Sequence, residues 1–356
     1  MTVTGILSAF AEWSTEGRPL ALASVYETEG STYSKAGAHM LITGDGRFHG
    51  MLSGGCLEGD LALRARAVIE SGLPQAVTYD LGQNDEELWG LGVGCDGLMR
   101  IFLQPLHAEG GYEPFATMAK ALAGDSVQVV ATVIESGIES IAAGSTIVTV
   151  DGDVAFSNLD EAFIGEIGPI VGRTLLGAGS QTRVVDLESG KVTVLFAALV
   201  PPPKVLVLGA GLDAGPVVRF AVELGWRVTV QDHRPAYIGS GRFDGATEVI
   251  SVPVAELSHA VELDRFVAAI IMSHHLASDR EYLRQLAKTP MTYIGLLGPA
   301  DRRQRLLEDL GESAARLEGR VHGPAGIDIG GRGPASIALS IIAELHRQLL
   351  LPERAG

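Results

Sequence analysis

Lys204-Val205-Leu206-Val207-Leu208 runs without a break into Gly209-Ala210-Gly211-Leu212-Asp213-Ala214-Gly215. Five residues dominated by Val and Leu have the composition of a strand buried on both faces. The glycines then demand a tight turn, and the apolar spacing beyond them predicts a helix over 212–224. Gly209 permits the turn, Gly211 lets backbone approach a phosphate, and Ala214 or Gly215 allows close helix–sheet packing. A second apolar run ends at Asp232, 21 residues after Gly211, where an acid usually bonds ribose hydroxyls.

Pro201-Pro202-Pro203 precedes this segment. Three prolines cannot join a sheet ladder and they stiffen the chain, so they suit a domain junction. Beyond them strand and helix patterns alternate: strands at 204–208, 227–232, 248–252, 266–272 and 292–296, helices at 212–224, 278–287, 300–310 and 334–349. Such alternation implies a parallel sheet covered on both faces. The class is α/β, with a Rossmann-like parallel-sheet domain over 204–350. NAD(P) or another nucleotide is its candidate ligand, with Gly209, Gly211 and Asp232 as binding residues; the competing reading is a Rossmann fold whose nucleotide site is empty or reused. Asp213 lies inside the loop and would repel phosphates unless it points away.

Further features fall at strand ends, where ligands bind in such sheets. Ser273-His274-His275 follows one predicted strand, and either histidine is a candidate proton donor for an oxidoreductase. Two adjacent histidines rarely aim at one metal, so a structural turn is the competing reading. Gly295-Leu296-Leu297-Gly298 precedes Asp301-Arg302-Arg303, a pattern that also suits a solvated helix face. A loop from His322 to Pro334 is rich in glycine and carries Arg332. It feeds a helix N-terminus, so it either holds a phosphate through Arg332 or closes the sheet.

The first 200 residues read as an α+β domain, divisible into 1–106 and 107–200. A helix is expected at 4–16, strands at 20–26, 38–43 and 47–52, a helix at 57–71, and strands at 75–80 and 97–105. A helix at 114–124 and strands at 127–134, 146–150 and 191–196 follow. Ser53-Gly54-Gly55-Cys56 places Cys56 at the start of the predicted helix, where a thiolate is stabilised. Gly92-Val93-Gly94-Cys95 places the second cysteine in another glycine loop. Buried cysteines are often inert, but flanking glycines make poor core and leave sulfur open to a large ligand. Two thiols alone make an incomplete zinc site; a soft metal, a dithiolene or sulfur transfer suits them better.

Composition narrows the partners. The formal net charge is -16 over 356 residues, which disfavours nucleic acid and anionic membrane surfaces. Two cysteines do not make a disulfide scaffold, and the first residues lack a basic-plus-apolar leader. No apolar run is long enough to span a bilayer, so a cytoplasmic setting is expected.

Several stretches together resemble the XdhC/CoxI family, the xanthine dehydrogenase accessory factors. They are Gly30-Ser31-Thr32, Gly37-Ala38-His39-Met40, Ser53-Gly54-Gly55-Cys56-Leu57-Glu58, Gly94-Cys95-Asp96-Gly97, Val207-Leu208-Gly209-Ala210-Gly211, Asp232-His233-Arg234, Tyr293-Ile294-Gly295-Leu296-Leu297-Gly298 and Gly326-Ile327-Asp328-Ile329-Gly330. The resemblance implies a chaperone that binds the molybdenum cofactor (molybdopterin), protects it during sulfuration by a cysteine desulfurase, and delivers it to a molybdenum hydroxylase such as xanthine dehydrogenase. Cys56, Cys95, Gly54, Gly55 and the 209–215 loop are its implied contacts, with molybdenum or sulfur near the two thiols. The chain departs from the family pattern at Ser273-His274-His275-Leu276, at Gly298-Pro299-Ala300 and at Asp96. An NAD(P)-dependent oxidoreductase is the alternative reading, and assembly into a homo-oligomer stays open.

Overall fold

The computed structural model describes residues 2–80, 97–173, 179–187 and 189–350. The chain divides into two compact units, Met1–Pro201 and Pro202–Gly356.

The first unit contains two five-stranded antiparallel sheets. One has the order β3-β2-β1-β5-β4, built from β1 (Leu20–Gly30), β2 (His39–Thr43), β3 (Phe48–His49), β4 (Gln75–Asp80) and β5 (Gly97–Leu106). The other has the order β8-β7-β6-β10-β9, built from β6 (Gln128–Ser136), β7 (Thr146–Val150), β8 (Asp153–Ser157), β9 (Gln181–Leu187) and β10 (Gly190–Leu199).

Side-chain alternation explains why the central strands are apolar throughout. Along β1, Leu20 and Leu22 enter one core while Ala21, Ala23 and Val25 enter another. Successive residues of a strand point to opposite faces, so burial on both sides requires apolar residues at every position. The shared core joins Leu22 and Phe102 to Leu195 and Leu199 of the second sheet, and to helices α1 (Val3–Thr15) and α3 (Phe115–Ala123) through Trp13 and Phe115. Helix α2 (Glu58–Ser71) lays Leu61, Ala65 and Val68 on the outer face of the first sheet. Helix α4 (Glu161–Arg173) sets Phe163 and Ile167 against Val194 and Phe196 on the second. Truncating Phe102 or Phe115 to Ala would cost roughly 3–5 kcal/mol.

The second unit is a six-stranded parallel sheet, β13-β12-β11-β14-β15-β16. Its strands are β11 (Lys204–Leu208), β12 (Arg227–Gln231), β13 (Glu248–Ile250), β14 (Ala268–Ile271), β15 (Tyr293–Leu296) and β16 (Val321–His322). Counted within the unit, the order is third, second, first, fourth, fifth, sixth, which is that of the Rossmann fold. Helices α5 (Ala214–Glu223) and α9 (Pro334–Leu350) pack on one face through Val217, Ala221, Ile341 and Leu345. Helices α7 (Leu276–Leu286) and α8 (Ala300–Leu310) cover the other through Tyr282, Leu283 and Leu306. A short helix, α6 (Pro235–Ser240), follows β12.

Sequence periodicity places the sheet strands and main helices within a few residues. It misses α4, α6, β8, β9 and β16. The two-residue β16 is too short to carry a period. Among the described residues no helix is long and apolar enough to cross a membrane.

Candidate functional site

In the first unit, the loop between β3 and α2 is shaped by its glycines and by one carboxylate. Gly54 and Gly55 have φ of 79° and 111°, which side-chain-bearing residues rarely adopt. Glu58, at the start of α2 and 2% exposed, turns its carboxylate back into the loop. Oε1 accepts the N–H groups of Leu52 at 3.0 Å and Ser53 at 2.9 Å. Oε2 accepts the Gly55 N–H at 3.0 Å and the Ser53 hydroxyl at 2.5 Å. The Ser53 oxygen in turn accepts the Leu57 N–H at 2.8 Å. Burial alone would raise the Glu58 carboxyl pKa, but these donors outweigh it and hold it below the usual value. The loop is therefore fixed by an ionised, buried acid.

Cys56 rides on this loop as a free thiol, half-buried beside the α2 core. The neighbouring 31–36 segment packs against the same loop. Ser34 donates its hydroxyl to the Met51 carbonyl at 3.2 Å. A Cβ added at Gly54 would lie 3.2 Å from the Tyr33 ring, whereas one at Gly55 would meet nothing within 4 Å. Tyr33 is 64% exposed. The result is a rigid loop with a thiol, an open glycine face and an exposed aromatic ring at its edge. Cys95 lies outside the described residues; the chain resumes at Gly97, paired with Gly30 across β1 and β5.

In the second unit the parallel strands all end at one edge, and the loops that follow β11 and β14 meet there. Gly209 has φ 119°, and a Cβ on it would stand 2.6 Å from the Met272 carbonyl group. The loops after β11 and β14 thus touch where the strand order reverses, the usual ligand crevice of such sheets. Asp213, just before α5, holds the His274 ring across this gap, 2.7 Å from Oδ2 to Nε2. Asp213 does not point away from the loop: its Oδ1 is 2.7 Å from where a Gly211 Cβ would be.

Asp232 is placed differently from a ribose-binding acid. It is 1% exposed, and Oδ2 accepts the Ala210 N–H at 2.8 Å. Arg234 bonds it in a fork, Nε to Oδ1 at 2.9 Å and Nη2 to Oδ2 at 2.8 Å. Its own N–H adds a bond to Oδ1 at 2.9 Å. Burial acts to raise the Asp232 pKa, and the Arg234 and Ala210 donors reverse it to a net lowering. The acid ties the glycine loop to the end of β12.

His275 caps α7, its Nδ1 accepting the Ser278 N–H at 3.3 Å. Ser273 donates to Asp279 at 2.5 Å, and Arg302 donates to the same carboxylate at 2.6 Å, so Ser273 and Arg302 brace three elements. Arg303 packs on Gly323. His322 stacks on Tyr293 with centroids 4.5 Å apart, and the Tyr293 hydroxyl donates to Glu344 at 2.6 Å. Arg332 stands exposed in the loop before α9.

Sequence reasoning gave no role to Glu58 or Arg234. The signals were present as an acid three residues beyond Gly55 and an arginine two residues beyond Asp232. Among the described residues no group of three His, Cys, Asp or Glu side chains stands ready to hold a metal ion.

Comparisons with known proteins agree with this two-part layout. A model of the XdhC Rossmann domain matches residues 205–345, and one of the XdhC and CoxI family matches residues 13–80. A Bacillus subtilis protein described as a probable xanthine dehydrogenase subunit is 31% identical over 324 residues, covering 91% of this chain and 91% of that protein. "Uncharacterized protein YqeB" of Escherichia coli is 28% identical over 161 residues, covering 44% of this chain and 29% of that protein. A crystal structure described as a xanthine dehydrogenase from Bacillus halodurans superposes with a TM-score of 0.81 at 28% identity, covering 100% of this chain and 98% of that one.

Proposed function

The chain belongs to the XdhC and CoxI family, and on that premise we propose that it serves as an accessory factor in the maturation of a xanthine dehydrogenase-type molybdenum hydroxylase. In this role it binds the molybdenum cofactor, shields it, and presents it for sulfuration by a cysteine desulfurase before delivery. The observation that carries the reading is Cys56. It is a half-buried thiol on a loop whose shape is fixed by the buried Glu58 carboxylate and two left-handed glycines.

The residues present suit such a ligand. Thiolate is a soft donor matched to molybdenum and to sulfur chemistry. The open face at Gly55 leaves room for a bulky group, and the exposed Tyr33 ring offers a flat surface to a pterin. Cys56, Gly54, Gly55 and Tyr33 would hold the cofactor, with Cys95 as the proposed second thiol. When bound, the cofactor supplies a dithiolene-ligated molybdenum centre destined for the client enzyme. The chain's own contribution is to bind and orient.

The test is activation of a purified cofactor-free hydroxylase of this type by molybdopterin and a desulfurase. Addition of the full chain should raise the recovered activity several-fold, and Cys56→Ser should abolish the gain. Equal activation with and without the chain would refute the proposal.

A nicotinamide-dependent oxidoreductase has one observation in its favour, the His274–Asp213 pair in the crevice. A histidine held by a carboxylate is a competent proton donor. Turnover of a carbonyl substrate with NAD(P)H, lost in His274→Gln, would promote that reading.

A further inference from the structure

The end of β12 presents a cation where a dinucleotide fold that binds an unmodified ribose presents a free acid. A carboxylate can accept from ribose hydroxyls only if its oxygens are exposed and uncommitted. Asp232 meets neither condition. It is 1% exposed, and four donors already occupy its two oxygens. Arg234 is the group that faces outward. Its side chain is 32% exposed and locked by the fork to Asp232, and its guanidinium carbon lies 3.8 Å from the centre of the Tyr237 ring. Nε and Nη2 are committed to the acid, while Nη1 makes no hydrogen bond among the described residues. His233 lies beside it, 36% exposed, with Nδ1 3.6 Å from Asp232.

A fixed, planar guanidinium with donors to spare is the group that recognises phosphate, and immobilising it beforehand lowers the entropy lost on binding. We propose that the crevice of the second unit takes adenine nucleotides carrying a phosphate on the ribose 2′-oxygen, NADP(H) in preference to NAD(H), and that Arg234 selects them. The proposal rests on reading this crevice as a nucleotide site. Asp213, in the loop where the pyrophosphate would lie, weakens both dinucleotides equally, because they share that pyrophosphate. The difference between them falls on the 2′-phosphate and hence on Arg234 and His233. The overall charge of -16 opposes any anion and the fork to Asp232 offsets the Arg234 charge, so the phosphorylated ligand gains through the guanidinium N–H donors that the acid leaves uncommitted.

The experiment is calorimetric titration of the full chain with four ligands: NADPH, NADH, 2′,5′-ADP and 5′-AMP. NADPH should bind at least about 10-fold more tightly than NADH, and 2′,5′-ADP should exceed 5′-AMP by a similar factor. In Arg234→Gln both ratios should fall to about one. Arg234→Lys keeps the charge without the fork and should restore part of the preference. The wild-type ratios decide the matter even if a variant fails to fold. Equal or tighter binding of NADH overturns the assignment and leaves the nucleotide reading intact. Binding of none of the four overturns both.

Discussion

Asp213 and His274, 61 residues apart in sequence, join the loops after β11 and β14 through a 2.7 Å contact. His274 adopts a left-handed backbone, φ 57°, to reach it. A non-glycine residue in that region stores strain of order 1 kcal/mol, and such strain gathers at functional sites. The carboxylate sits beside the N-terminal end of α5, where an incoming phosphate would otherwise find backbone donors and no opposing charge.

Replacing Asp213 by Asn keeps a hydrogen-bond partner for His274 and removes the charge. The expected outcome is about a 10-fold gain in NADPH affinity by calorimetry, since one like-charge repulsion near the surface is worth about 1 kcal/mol or more. A loss of affinity would mean that the acid contacts the ligand favourably, against this account.

Glu58 organises the thiol loop. Glu58→Ala strips acceptors from three backbone N–H groups and one hydroxyl. A destabilisation of about 3 kcal/mol in urea is expected, because hydrogen bonds to a charged group contribute about 1.5–3 kcal/mol each and are not additive. Hydrogen exchange at Ser53 and Gly55 should accelerate selectively. Unchanged protection there would show that the loop holds itself without the acid.

Gly209→Ala should be among the most damaging single-methyl changes in the second unit. The new Cβ would stand 2.6 Å from Met272 backbone atoms at a φ of 119°. Overpacking and backbone strain together predict a loss of about 2–5 kcal/mol. Gly239→Ala, on α6 with nothing within 4 Å, is the control and should be neutral or slightly stabilising. Similar Tm values for the two variants would contradict the packing argument.

His39 contributes to the acid sensitivity of the first unit. Its Nδ1 lies 2.9 Å from the Ser24 hydroxyl, and Nε2 is buried without a partner among the described residues. Burial lowers its pKa from 6.5 to about 4. The unfolded chain therefore binds the proton first as pH falls, so stability present above pH 6.5 is lost progressively down to about pH 4. The loss is on the order of 3 kcal/mol. Glu58 and Asp232, with lowered pKa values, add their losses at still lower pH as they become protonated. Urea titrations at pH 7.5, 6 and 4.5 check this, and His39→Leu should flatten the slope over that window.

Much of the second unit was legible in sequence because its signals are local. The apolar run to Leu208, the glycines after it and the acid closing β12 fall within one strand–turn–helix–strand segment. The role of Asp232 was not legible, because it depends on which donors surround the carboxylate, and those come from Ala210 and Arg234. The first unit hid more. Its two sheets share one core that gathers residues as far apart in sequence as Leu22 and Leu195, and β9, with its mixed burial, has no clean period. Glycine-flanked cysteines were visible as residues; the buried Glu58 that shapes the Cys56 loop was visible only in three dimensions.

The most direct measurement of the central proposal is the pterin content of purified full-length protein after incubation with molybdopterin and gel filtration. Wild type should retain close to one pterin per chain, and Cys56→Ser should retain far less while folding normally by circular dichroism. Wild type and Cys56→Ser carrying equal pterin, or neither carrying any, would contradict the account.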